Sequence, residues 1–138
     1  MEMTLGSFGD SQGIVCHRSL ATVPVFHGGP VEPERGWILH TDHSIVEKRD
    51  LLPGFFVSGS NETLRKLLSH GEGSVRLLLG YAGWGPGQLE KEMIDGVWIT
   101  AEANAKYVFE IEPRLTWNSV LGDLGVDPNR LMVGTGLH

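Results

Sequence analysis

With 138 residues and 15.1 kDa, the chain has the size of a single domain and is long enough to bury a core of its own. Eleven Lys and Arg against seventeen Asp and Glu leave a formal charge of −6, which argues against a protein whose affinity rests on neutralising nucleic-acid phosphates or anionic lipid. One cysteine, Cys16, rules out an internal disulfide, no basic-then-apolar leader opens the chain, and no run approaches the ~18 apolar residues of a membrane span, so a soluble cytoplasmic protein is the expectation.

Residues 1–22 crowd Gly6, Ser7, Gly9, Asp10, Ser11 and Gly13 around one apolar pair, Ile14-Val15, and read as loop or tail. The patterned domain then runs over 23–138. Val23, Val25 and Phe26, followed by Gly28-Gly29-Pro30 and by Trp37 to His40, predict two short strands joined by a Gly/Pro turn. Phe55 to Val57 reads as a further strand, and the nearly continuous apolar run Val75 to Leu79 as a central strand buried on both faces. Leu64, Leu67 and Leu68 recur at helical spacing behind Ser60 or Asn61 and ahead of Gly71, which predicts a helix over 61–70. A second helix is expected after Gly85-Pro86, with Leu89, Met93 and Val97 on one face. The third opens at Pro113, carries Trp117, Val120, Leu121 and Leu124, and stops at Gly125. Trp98 to Thr100 and Tyr107 to Ile111 read as strands between these helices. Strands mixed with single helices make an α+β domain with a mixed sheet.

Three motifs stand out in order: Val25-Phe26-His27-Gly28-Gly29-Pro30-Val31, then Arg35-Gly36-Trp37-Ile38-Leu39-His40, then Gly80-Tyr81-Ala82-Gly83-Trp84-Gly85-Pro86-Gly87-Gln88-Leu89-Glu90. Glu92, Gly96, Trp98, Phe109, Trp117 and the Leu124-Gly125-Val126-Asp127 turn follow them. On these residues the chain resembles the YqgE/AlgH family of bacterial proteins, over about 23–131. The resemblance implies a bifurcated mixed sheet bent into a pseudo-barrel, with about three helices packed outside. The transcriptional-regulator label carried by some members comes from phenotypes and identifies no DNA-reading element. Members open with some forty residues that have no match here, so the domain is expected to be truncated at its N-terminus relative to the family.

The stretch Gly80-x-x-Gly83-x-Gly85-x-Gly87 follows a strand and precedes a helix, an arrangement able to hold a phosphate on backbone N–H groups. Its spacing is that of neither a dinucleotide fingerprint nor a P-loop, and Pro86 removes a donor. The favoured reading is a tight turn with close helix–strand packing, with Trp84 and Leu89 covering the core. The alternative seats a small anion or a peptide there, contacted by Gln88 and Glu90. The candidate ligand- or partner-binding residues are therefore Gly28, Gly29, Pro30, Gly83, Trp84, Gly85, Gln88 and Glu90.

His40, Asp42 and His43, with His27 across the turn, have ligand-type side chains but no strong metal spacing, so neither a metal nor a cofactor is expected. Cys16 and His17 point to opposite faces if extended, and Glu90 and Glu92 lie about 200° apart on a helix; neither pair makes a catalytic dyad. The four tryptophans read as core anchors, with an aromatic cage as the sharper alternative. Basic residues are scattered, with only Lys48-Arg49 and Arg65-Lys66 adjacent.

These readings converge on a non-enzymatic protein that binds a small ligand or a protein partner in a regulatory role. The rivals are a hydrolase or transferase using the 80–87 turn as an anion site, and a direct DNA-binding regulator. The strands at Val23–Phe26 and Trp37–Leu39 would be left with open edges by the missing segment, which predicts self-association as a homodimer.

Overall fold

The computed structural model describes residues 3–71 and 73–131. It divides into two compact units, Met1–Ala82 and Gly83–His138, a division that falls inside what the sequence reads as one domain.

The first unit holds a five-stranded sheet and two helices. Its strands are β1 (Phe26–His27), β2 (Val31–His40), β3 (Arg49–Leu52), β4 (Phe55–Ser58) and β5 (Val75–Tyr81), with helices α1 (Leu5–Gln12) and α2 (Asn61–His70). The order is β1-β5-β2-β4-β3, with β1 parallel to β5 and every other pair antiparallel. The second unit holds α3 (Gln88–Ile94), α4 (Ala105–Phe109), α5 (Pro113–Asp123) and α6 (Pro128–Leu131). The fold is α+β with a mixed sheet. The strands form an open row rather than a closed barrel, and the described helices number six.

Side chains alternate along a strand, which places Ile38, Val75 and Leu77 on the face that packs Leu5 of α1 and Leu64, Leu67 and Leu68 of α2. Leu5, Leu68 and Leu77 are wholly excluded from solvent. The α2 boundaries follow from the sequence pattern. The Ser60 hydroxyl accepts the Thr63 N–H at 3.1 Å, and Gly71 closes the helix in the left-handed conformation that a Cβ would disfavour.

Three elements correct the sequence reading. Residues 3–22 are no tail: Thr4 and Ser7 form a capping box that starts α1, and Leu5, Ile14 and Leu20 are buried. The glycines that looked like loop material allow close approach, since a Cβ at Gly9 would sit 2.7 Å from the Ile14 carbonyl oxygen and one at Gly6 2.9 Å from that of Ala21. Second, the strands around Gly28-Gly29-Pro30 do not pair with each other; β5 lies between them. Third, Trp98 to Thr100 forms no strand, and Tyr107 to Phe109 belongs to α4. There the Asn104 side chain accepts the Lys106 N–H at 3.0 Å, and this cap commits the segment to a helical turn.

Most of the backbone invoked for self-association has partners within the chain, while β1 stands at one end of the sheet. β2 is paired on both sides, by β4 and β5. Residues 23–25 bond to the stretch before and into α1, through Leu5 N–H to the Val23 carbonyl and Val25 N–H to the Met3 carbonyl, each at 2.8 Å.

Candidate functional site

Beneath α2 lies a polar network inside the core. His40 and Ser58 are 0% and 2% exposed, and His40 Nε2 is 2.9 Å from Ser58 Oγ. Two observations fix the proton positions. The Asp42 backbone N–H donates to His40 Nδ1 at 3.1 Å, so Nδ1 is the acceptor and Nε2 carries the hydrogen. The Ser58 hydroxyl donates onward to the Glu47 carbonyl. His40 is therefore a donor to Ser58 and cannot draw its proton as a general base. Burial is the main cause holding the His40 pKa below its ordinary value, so the ring is neutral near pH 7. A Ser–His pair that resembles catalytic machinery is thus a satisfied core contact.

Glu47 extends this network to the start of α2. Its carboxylate accepts the N–H groups of Gly59 and Ser60, both at 3.1 Å, and the Thr63 hydroxyl at 2.9 Å. Burial pushes its pKa up, but these hydrogen bonds prevail and hold it below the usual carboxylate value.

Beside α2 the first unit has an open groove of about 400 Å³. Ile38, Leu64, Leu77 and Leu79 make its floor, and Gln12, Glu34 and Asn61 stand on its rim. Volumes of this size suit small organic ligands. Gly36 lines the groove with no side chain, where a Cβ would meet only the flexible ends of Leu77, at 3.2 Å, and Leu79, at 3.8 Å. None of these rim and floor residues is among the sequence-predicted candidates.

The second unit carries the other group of polar contacts. The indole N–H groups of Trp84 and Trp98 both donate to Oε1 of Glu92, at 3.3 and 2.8 Å. Gln88 donates to the other oxygen of Glu92 at 2.9 Å and accepts the Gly85 N–H at 2.9 Å. The Trp98 indole is the leading cause of a lowered Glu92 pKa, with Gln88 and Trp84 adding to it. The two rings meet edge-on at 6.0 Å and remain 42% and 49% exposed.

This arrangement separates the predicted candidates. Gly28 and Gly29 lie against the backbone of Gly80 and Tyr81, where any Cβ would collide, so they serve a chain crossing; Pro30 is exposed beside them. Within the turn Gly80 is closely packed, since a Cβ there would collide with the Gly29 carbonyl oxygen, whereas Gly83 and Gly87 would meet nothing within 4 Å if given a Cβ. Trp84, Trp98 and Trp117 are exposed, which corrects their reading as core anchors. At the start of α3, where the alternative reading seats an anion or a peptide, Gln88 takes the Gly85 N–H, with Glu90 and the ionised Glu92 nearby in the same short helix. The carboxylate that joins this cluster is that of Glu92, a residue outside the sequence-predicted candidates. Its spacing, four residues after Gln88 and six before Trp98, was the available signal.

The histidines do not converge. His40 has both ring nitrogens engaged, His43 packs edge-on to Phe56 at 4.9 Å, and His27 is exposed in β1. No group of three or more His, Cys, Asp or Glu able to hold a metal occurs among the described residues. Burial first, then Asp10, raises the Cys16 pKa, which keeps it a thiol. No described helix is long and apolar enough to cross a membrane.

Comparison with known proteins supports the sequence resemblance. A family model described as AlgH-like matches residues 1–129, so the match takes in the first 22 residues as well. A UPF0301 protein of Myxococcus xanthus is 41% identical over 136 residues, covering 99% of this chain and 75% of that protein. Another, from Thioalkalivibrio sulfidiphilus, is 36% identical over 128 residues, covering 91% of this chain and 69% of its own length. The solution structure of the AlgH protein from Pseudomonas aeruginosa superposes with a TM-score of 0.71 at 25% identity, covering all of this chain and 74% of that one.

Proposed function

The chain belongs to the AlgH-like family, and from that premise we propose that it works as a non-enzymatic binding protein whose second unit holds a basic, apolar segment of a protein partner. The observation that carries this reading is the anchoring of two half-exposed indoles by one carboxylate. Held by their N–H groups, the rings keep their apolar surface available at little further ordering cost, the property of tryptophan anchors in interfaces. Charge favours a basic partner. Residues 83–138 contain eight Asp and Glu against four Lys and Arg, and Lys91, Lys106 and Arg114 are already paired with Asp95, Asp123 and Glu112. Among the described residues Glu90, Glu102 and Glu110 make no ion pair. A regulatory role, in which the partner is held and not chemically altered, is the form this reading takes. The hydrolase alternative draws no support from the inverted Ser58–His40 geometry.

The test uses a labelled amphipathic helix of Leu and Lys, with a Leu/Glu helix as its control, followed by fluorescence anisotropy. The basic peptide should bind and weaken as salt rises, and a Trp84→Ala/Trp98→Ala variant should lose it. Equal binding of the acidic peptide, or retention by the double variant, sinks the reading.

A further inference from the structure

We propose that the groove of the first unit is a seat for a small amphiphile: a primary ammonium group on a hydrocarbon body. The inference stands apart from the partner contact of the second unit and rests on different residues.

The groove exists for a local reason. Strand alternation puts Gly36 and Ile38 on the same face of β2, Glu34 reaches the groove from the irregular stretch between Val31 and Gly36, and Gly36 has no side chain. The space above Gly36 is bounded below by Leu77 and Leu79 and on the α2 side by Leu64. This hydrocarbon floor would gain about 25 cal/mol for every Å² of apolar ligand surface it removes from water.

The rim decides the head group. Glu34 is the one charged residue lining the groove, and its carboxylate makes no ion pair or hydrogen bond among the described residues. Gln12 is the last residue of α1, so the negative end of that helix dipole lies on the same rim. The start of α2 also reaches the groove through Ser60 and Asn61 and would ordinarily attract an anion. That end is already served: Glu47 takes the Gly59 and Ser60 N–H groups, and the Ser60 hydroxyl takes that of Thr63. An anionic head group would have to displace Glu47 while facing Glu34. An ammonium group meets a carboxylate without a partner, with the uncharged Gln12 and Asn61 on the same rim.

The experiment is an amide NMR titration of the whole chain with octylamine, octanol and octanoate, each below its aggregation concentration. Octylamine should saturate with shifts clustered at Gly36, Asn61 and Leu77, and octanoate should bind at least about tenfold more weakly, equivalent to ~1.4 kcal/mol. Glu34→Gln should reduce octylamine to the affinity of octanol. Gly36→Leu, which puts a side chain into the groove beside the Leu77 Cδ1, 3.2 Å from the new Cβ, should abolish binding of all three. If that variant loses its native amide dispersion, Glu34→Gln carries the test alone. Octanoate binding as tightly as octylamine, shifts lying outside the groove, unchanged octylamine affinity in Glu34→Gln, or saturation by none of the probes would each overturn the proposal.

Discussion

The two units invest their apolar residues in opposite ways. Among the described residues, twelve of the thirteen buried hydrophobic side chains lie in Met1–Ala82, and Leu121 alone lies in the second unit. Of the fourteen large hydrophobics left exposed, nine belong to the second unit, including three tryptophans. The first unit is held by a sheet-and-helix core. The second has helices of four to eleven residues, lengths at which isolated helices are marginal in water. Its visible supports are polar: the Glu92 clamp, and Asp123, which accepts the Tyr107 hydroxyl and pairs with Lys106 at 3.2 Å. A region built this way keeps apolar surface exposed at the expense of its own cohesion.

The contrast predicts a graded set of mutational effects. Leu67→Ala or Leu68→Ala, at positions 1% and 0% exposed, should cost ~2–5 kcal/mol in urea unfolding. Leu115→Ala or Trp117→Ala, both exposed, should stay within about 0.5 kcal/mol. Similar costs at the two pairs would erase the distinction between the units.

Acid should act first on the buried network. Because the folded His40 pKa lies below its ordinary value of 6.5, the unfolded chain gains a proton that the folded one refuses. Stability therefore falls as pH drops from about 6.5, with a slope of up to ~1.4 kcal/mol per unit for one proton. Glu47 has a depressed folded pKa, so its contribution is present above its ordinary 4.5 and is lost as pH falls below it. Urea titrations of His40→Gln should show the upper step flattened and the lower one kept; an unchanged profile would remove His40 from the account.

A smaller effect is expected from Glu47→Ala, which strips the acceptor from two backbone N–H groups and a hydroxyl. A loss of ~1–2 kcal/mol, with faster hydrogen exchange at Gly59 and Ser60, would sharpen the view that the first unit is tied together through this residue. The mildest change should follow Glu92→Ala. The Trp84 and Trp98 rings lose their common anchor, so tryptophan emission should shift and the basic-peptide affinity fall while the unfolding of the first unit stays in place. A shift in that unfolding transition would show that the Glu92 cluster also supports the first unit.

The legible parts of the sequence were those where one residue type has one local job. Ser60 with Leu64, Leu67, Leu68 and Gly71 set α2 from periodicity and caps, and Pro113 with Leu121 set α5. The unreadable parts depended on distant neighbours. Gly6 and Gly9 look alike in a loop and in a helix packed against residues 14 and 21. The groove was missed because its defining residue, Gly36, contributes only an absent side chain. Tyr107 to Ile111 is rich in residues that favour strands, but the Asn104 cap overrode that preference.

The contact of Gly28 and Gly29 with Gly80 and Tyr81 also bears on the order in which the sheet forms. β3 and β4 are neighbours in sequence and can pair early, whereas Phe26 must find Leu78 across 52 residues, and distant pairings are slow to close. The β1 strand can dock only after β2 and β5 present their shared edge, and its arrival brings two backbones together with no side chain between them. Gly80→Ala, at a φ of +80° and with its Cβ driven into the Gly29 carbonyl oxygen and 3.2 Å from β2 backbone at Val31 and Pro33, should therefore weaken the finished sheet as well as slow its last step. The expected sign is late and reduced protection of the Gly28 amide, which bonds to the Leu79 carbonyl at 2.8 Å in the finished sheet.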